Sequence, residues 1–267
     1  NLKKSFLNFL EKIPSVGKGF VCNDDVNLKK ILKKTKNKNF YTYGKDKKSN
    51  FQIINIKQNS NYSKFDILIN IPSKNKIIKN IKLPMIGIHN IRNATAAAAL
   101  AFTIGIPEKY IKLGLFNFKG VQRRFTHLFD HNKVSFYDDY AHHPTEIRTV
   151  LDGIKNVYKD KEIVCVFQPH RISRVINLKT EFSKCFKMAD TVLLCPVYTA
   201  NENLKLNFTY HSFAKLIIKN SDVRLIQVED ELQLKKFIKQ NAFGKKIYVG
   251  MGAGSISNWM KNLKNIF

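Results

Sequence analysis

Nine consecutive residues concentrate groups that could do chemistry: Asp138-Asp139-Tyr140-Ala141-His142-His143-Pro144-Thr145-Glu146. Apolar and aromatic residues precede them, so the segment reads as the end of a buried strand. Carboxylates, a phenol and two imidazoles then crowd into the turn before a helix. Pro144 suits a first helical position, where the missing N–H costs nothing. In open α/β sheets, ligands bind beyond the carboxyl ends of strands. Acids, phenol and imidazoles in that place read as a site rather than as packing.

A second cluster has the same setting. Gln168-Pro169-His170-Arg171-Ile172-Ser173-Arg174 follows the apolar run Ile163–Phe167. His170, Arg171 and Arg174 could gather a carboxylate or phosphate, because guanidinium makes planar paired contacts with such anions. Cations at a helix start oppose the helix dipole unless an anion is present. Gly120-Val121-Gln122-Arg123-Arg124-Phe125 offers a phosphate clamp or a pair of solvated charges. Gly87-x-His89-Asn90-x-x-Asn93 precedes an Ala-rich helix. An Asn amide has the donor and acceptor needed to read an adenine edge, although spacing alone favours an Asn N-cap. Gly250-Met251-Gly252-Ala253-Gly254 is a weak phosphate-loop signal, equally readable as a tight turn. No Gly-Lys dipeptide is followed by Ser or Thr, so no Walker-type loop is present. His142-His143 lacks a third ligand at metal-site spacing, and no metal site is assigned. His127, His131 and His211 stand alone.

The elements that must hold these groups follow from periodicity. Helical spacing covers residues 1–13, and short strands are expected at 19–22, 40–43, 51–56, 65–71 and 77–83, with helices at 27–33, 93–104 and 107–116. From about residue 120, strands near 134–138, 162–167, 191–195, 223–228 and 246–250 alternate with helices near 145–157, 173–188, 209–219, 230–240 and 255–265. Such alternation predicts an α/β fold with a Rossmann-like, doubly wound parallel sheet. The boundary is placed so that residues 1–120 form the remainder of a mixed α/β domain and 121–267 the Rossmann-like one.

Composition narrows the function. The chain has 267 residues, 44% of them hydrophobic, enough for a substantial core. No apolar run reaches membrane-spanning length and no signal peptide is visible; stable membrane insertion is not expected. The four cysteines fit no metal or CxxC spacing and read as buried thiols in a reducing cytoplasm. The net charge of +26 invites a nucleic-acid reading. Yet 39 of the 46 basic residues are Lys, spread along the chain with abundant Asn. That pattern fits a compositional bias toward Lys and Asn as well as it fits function, and it lacks the basic stripe and interleaved aromatics of a strand-binding groove. Four of the seven Arg instead fall in the two short motifs above. The chain opens on Asn1 rather than Met and is read as a piece of a longer protein.

Taken together, the motifs resemble the Mur ligases. Within that family they are most similar to the members that join L-alanine to UDP-N-acetylmuramate. Asp24-Asp25, Thr42-Tyr43-Gly44, the His89–Asn93 motif, Gly120–Phe125, Asp138–Glu146, Gln168–Arg174, Val197-Tyr198 and Met251–Gly254 occur in the family's order. The resemblance implies the C-terminal half of a central ATPase domain followed by a C-terminal ligase domain. It implies ATP and Mg2+ as cofactors, UDP-N-acetylmuramate and L-alanine as substrates, and a part in peptidoglycan precursor synthesis. It leaves oligomerisation open. The chemistry would convert a carboxylate into an acyl phosphate, which the alanine amine attacks. His89, Asn90 and Asn93 would hold adenine, Arg124 the phosphates, Asp139 the ribose, and Tyr140 the nucleotide pocket. His142, His170, Arg171 and Arg174 would surround the amino acid. The phosphate loop and most magnesium ligands would lie upstream, so the 267 residues alone should be inactive. Ile172, Asn201 and Ser255 depart from the family's usual residues. A tripeptide-recycling ligase, a non-catalytic relative and a basic nucleic-acid-binding module are the alternatives.

Overall fold

The computed structural model describes residues 2–72, 74–202 and 209–267. They form two compact units, Asn1–Lys119 and Gly120–Phe267.

The first unit runs α1 (Leu2–Glu11), β1 (Gly19–Cys22), α2 (Val26–Leu32), β2 (Phe40–Gly44), β3 (Phe51–Gln58), β4 (Ser63–Ile71), β5 (Lys74–Leu83), α3 (Ile88–Thr103) and α4 (Glu108–Phe116). Its sheet has the order β1-β2-β3-β4-β5, parallel from β1 to β3 and antiparallel thereafter. Strict alternation on β4 sends Phe65, Ile67 and Ile69 inward. The i, i+3/i+4 spacing of Ile91, Ala94, Ala98 and Ala99 on α3 lays a stripe of mostly small residues against them.

The second unit runs β6 (Thr126–His131), β7 (Val134–Asp139), α5 (Pro144–Val157), β8 (Glu162–Phe167), α6 (Ile172–Asn177), α7 (Lys179–Ser183), β9 (Thr191–Leu194), α8 (Tyr210–Ser221), β10 (Arg224–Gln227), α9 (Glu231–Asn241), β11 (Lys246–Met251) and α10 (Ile256–Asn262). The sheet order is β10-β9-β8-β11-β7-β6, and every pair is parallel except β6–β7. Central strands buried on both faces need near-continuous apolar sequence, as in β8. Its Ile163, Cys165 and Phe167 pack with α5, α7 and α8. Its Val164 and Val166 face the layer of α9 and α10. The result is a sheet between two helical layers. Cys165, Cys185 and Cys195 are buried free thiols whose pKa burial raises.

Two expectations change. The helix expected over 173–188 is broken: α6 ends at Asn177, Leu178 leaves helical geometry at φ −119° and turns onto the core, and α7 stops at Ser183. Strand β6 was not foreseen. It joins β7 through Asn132 and Lys133, both at positive φ (45° and 66°). Two central residues in that region make a tight hairpin turn, here without the glycine that usually announces it. Among the described residues no helix is long and apolar enough to cross a membrane.

Candidate functional site

The topology gathers the motif loops of the second unit. Strand β11 is inserted between β7 and β8, so the carboxyl ends of all three lie side by side. The loops after them carry Tyr140–His143, Gln168–Arg171 and Gly252–Ser255.

The β7 loop is fixed by helix α5. His143 is the N-cap, accepting the Thr145 N–H at 3.3 Å. Glu146 reaches back to the amides of His142 and His143, at 3.1 and 3.2 Å. His143 therefore shapes the turn, and the His142 ring lies back on it, its Nδ1 2.9 Å from Tyr140 O and 3.5 Å from Glu146 Oε2. The His142 ring lies 5.0 Å from Tyr140 and 5.8 Å from His170, both edge-on.

The β8 loop is held by backbone. Arg171 N–H donates to Tyr198 O and Tyr198 N–H to Pro169 O, each at 2.8 Å. Tyr198 stacks on His170 with centroids 5.5 Å apart and planes 15° from parallel. Arg171 pays for its position with φ +67°, a strained value for a non-glycine residue. Arg174 Nη1 lies 3.2 Å from His170 Nδ1. Guanidinium only donates, so Nδ1 accepts and the neutral ring carries its proton on Nε2. Burial, then the charge of Arg174, lowers the His170 pKa below its ordinary value. Ser173 donates its N–H and hydroxyl to Glu202. That carboxylate supplies the anion that Arg171 and Arg174 call for at the start of α6.

The β11 loop is a close-approach turn. A Cβ on Gly254 would sit 2.5 Å from Tyr198 Cγ and 2.6 Å from Gln168 Oε1. Gly252 has φ +153° and a Cβ there would meet Gln168 O at 2.7 Å. Gln168 Oε1 accepts the Ile256 amide at 3.0 Å and its Nε2 donates to Ser255 at 3.0 Å. These glycines are required by packing against Gln168 and Tyr198, which is the tight-turn reading of the motif.

Asp138 and Asp139 are both 1% exposed. Asp139 accepts the Phe125 and Ala141 amides, one on each oxygen, both at 2.7 Å. The carboxylate is buried and braces the loop. Burial raises its pKa to about 6 against the pull of those two amides. Asp138 accepts from Ser257 at 2.6 Å and lies 3.5 Å from Arg123 Nε. Tyr140 lies under both guanidinium groups, 4.8 Å from Arg123 and 6.0 Å from Arg124. Among the described residues, Arg124, Arg171 and Arg174 have no carboxylate at ion-pair distance. Glu202 and Asp139 lie near enough to feel the charge of Arg171 and Arg124, but neither pairs with them, an arrangement suited to an anionic ligand.

In the first unit, the N-cap of α3 is Gly87 at φ +93°, not an Asn. The His89 ring folds over it, where a Cβ on residue 87 would come within 2.6 Å. Buried Asn90 donates to Ile86 O at 2.7 Å, and Asn93 is exposed. Arg92 ties α3 to the loop after β1 through Asp24, at 2.6 Å.

Three comparisons place this architecture. Residues 1–101 match the Mur ligase middle domain, and residues 123–254 match the Mur ligase glutamate ligase domain. The chain belongs to the Mur ligase family. A UDP-N-acetylmuramate–L-alanine ligase of Pelagibacter ubique is 60% identical over all 267 residues, which span 58% of that relative. One from Caulobacter sp. is 37% identical over 97% of the chain and 55% of its own length. The chain thus spans little more than half of the curated relatives it matches. The solved UDP-N-acetylmuramate–alanine ligase of Thermotoga maritima superposes with a TM-score of 0.68 at 28% identity, covering 84% of this chain and 47% of that one. A MurF structure from Acinetobacter baumannii shares the fold at 17% identity, with a TM-score of 0.74 over 99% of this chain and 55% of its own.

The structure brings His142, His170 and Arg174 into one cluster, with Arg171 beside it, and Arg124, Asp139 and Tyr140 into another. The sequence marked the Arg123-Arg124 pair and Val197-Tyr198 as motifs without giving Arg123 or Tyr198 a role of its own, and gave Glu202 none. Tyr198 and Glu202 follow β9, far along the chain from His170. Only the placement of acid and aromatic beyond a strand end could have marked their roles.

Proposed function

We propose that the chain is the catalytic-domain portion of a UDP-N-acetylmuramate–L-alanine ligase, a cytoplasmic ATP-dependent enzyme of peptidoglycan precursor synthesis. The observation that carries this is 60% identity along the full chain to a relative of that name. The site geometry supports it. Arg171 and Arg174 present cationic charge beside His170 and His142, suited to the carboxylate of a small amino acid. The neutral His170 ring, with Nδ1 committed to Arg174, keeps its proton on Nε2 as a donor. Its lowered pKa keeps it neutral at physiological pH, so it adds no third positive charge to repel an incoming amine.

Arg124 is the guanidinium we assign to ATP phosphates, since Arg123 is engaged with Asp138 and Gly252. Tyr140 offers an aromatic face to the nucleotide. Asp139 holds both flanking backbones and meets a ribose hydroxyl only through a residual lone pair. His89, Asn90 and Asn93 are the adenine candidates, and exposed Asn93 is the best presented. ATP supplies the phosphoryl group that activates the lactyl carboxylate of UDP-N-acetylmuramate. Positioning and charge stabilisation dominate such transfers. Among the described residues no group of three or more His, Cys, Asp or Glu could hold a metal ion.

The test is a substrate comparison in the full-length protein. L-alanine should support ATP-dependent ligation to UDP-N-acetylmuramate, and a free tripeptide should not. Preference for the tripeptide would move the protein to the recycling ligases.

A further inference from the structure

We infer that Arg123 is a positioning residue that aims Arg124, acting through a clasp built on Asp138 and Asp139; this rests on the phosphate role proposed for Arg124. Two residues around Arg124 hold backbone conformations that side-chain-bearing residues avoid: Arg123 at φ +60° and Phe125 at φ +48°. Strain of this kind persists where surrounding contacts over-determine it. Here they do. The Tyr140 amide donates to Arg123 O at 2.7 Å, and the Phe125 amide donates to Asp139 at 2.7 Å. The Arg123 side chain folds back into the unit. Its Nη2 donates to Gly252 O, its Nε faces buried Asp138 at 3.5 Å, and its plane lies 4.8 Å from the Tyr140 ring centroid. Phe125 stacks flat on Tyr137, with centroids 4.1 Å apart and planes 2° from parallel.

The two neighbours of Arg124 are therefore pinned on both backbone and side chain. Arg124 is left exposed, its guanidinium carbon over the Tyr140 ring and 6.0 Å from the centroid. The adjacent acids divide the work: Asp138 takes the guanidinium of Arg123, and Asp139 takes the amide of Phe125. The Arg123 side chain joins the 120–125 segment, the Tyr140 loop and the Gly252 loop. A lysine could not replace it, because one ammonium cannot reach Asp138 and Gly252 O together while keeping a planar face on Tyr140.

The experiment is a double-mutant cycle in the full-length protein, read as KM for MgATP, kcat and KM for L-alanine. Arg124→Ala should raise KM for MgATP at least tenfold. Arg123→Gln should raise it about five- to twentyfold, leave KM for L-alanine within twofold, and not be rescued by Arg123→Lys. In the Arg124→Ala background, Arg123→Gln should change KM for MgATP by less than twofold, because nothing remains to aim. Equal effects of Arg123→Gln in both backgrounds would overturn the inference, as would no effect beside a strong Arg124→Ala effect. A silent Arg124→Ala would instead remove the phosphate reading itself. Amide exchange gives a readout apart from activity. Tyr140 and Phe125 should lose protection in Arg123→Gln while the β8 and β11 amides keep theirs; unchanged protection would contradict the clasp. If Arg123→Gln does not fold, Asp138→Asn retains an acceptor for Ser257, removes the charge facing Arg123, and should give the same pattern.

Discussion

Asp139→Asn should remove a pH dependence of stability whose direction is unusual for an aspartate. Each Asp139 oxygen accepts one backbone amide at 2.7 Å, and the charge of Arg124 also favours ionisation. Burial outweighs these and lifts the carboxyl from its ordinary 3.8 to about 6. Between about pH 4 and pH 6 the folded protein thus holds a proton that the unfolded chain has released. Stability must fall as pH rises through that window and level off above it. A roughly hundredfold difference in proton affinity corresponds to about 3 kcal/mol. Asparagine cannot ionise, so its contribution is flat. It also turns an NH2 toward one of the two amide donors, which costs about 1–3 kcal/mol at every pH. Asp24, Asp130 and Glu202 have lowered pKa values and slope the opposite way, but they cancel between wild type and variant. Urea unfolding of both proteins at pH 4, 5, 6 and 7 supplies the difference directly. The wild-type advantage should be greatest at pH 4 and smaller by roughly 2–2.5 kcal/mol at pH 7, since the unfolded carboxyl is already partly ionised at pH 4. A constant difference across the series would refute the burial argument.

Arg174→Ala should raise KM for L-alanine about ten- to a hundredfold, the loss of one charge-assisted bond of roughly 1.5–3 kcal/mol, with UDP-N-acetylmuramate binding largely spared in direct titration. Gly254→Ala should destabilise the second unit by about 1–3 kcal/mol, the usual cost of overpacking, because its Cβ would lie 2.5 Å from Tyr198 Cγ; an unchanged melting temperature would show that Tyr198 moves freely. Random-sequence DNA should bind weakly and release at modest salt, as counterion release dictates; sub-micromolar, sequence-selective binding at physiological salt would reopen the nucleic-acid reading.

The strand–helix alternation made the second unit legible because buried parallel strands are almost wholly apolar, as β8 shows. The two chemical loops were legible because polar residues at strand ends break that pattern abruptly. What escaped was set by non-local contact. Strand β6 hides behind a turn without glycine. The break at Leu178 is made by side-chain packing on the core, not by Pro or Gly. Asp139 carries the residue type of a ligand contact, yet its partners are the amides of Phe125 and Ala141, one of them 14 residues away. The Gly250–Gly254 motif left a phosphate loop and a tight turn open, and what requires Gly254 is Tyr198, which no local pattern connects to it.

The most direct test of the central claim is product formation. The full-length protein carrying this chain, given MgATP, UDP-N-acetylmuramate and L-alanine, should release ADP and yield UDP-N-acetylmuramoyl-L-alanine in equal amounts, and Arg171→Ala and Arg174→Ala should each depress the rate at limiting L-alanine. Turnover indifferent to both substitutions, or none with L-alanine while another amino acid or peptide is ligated, would contradict the account.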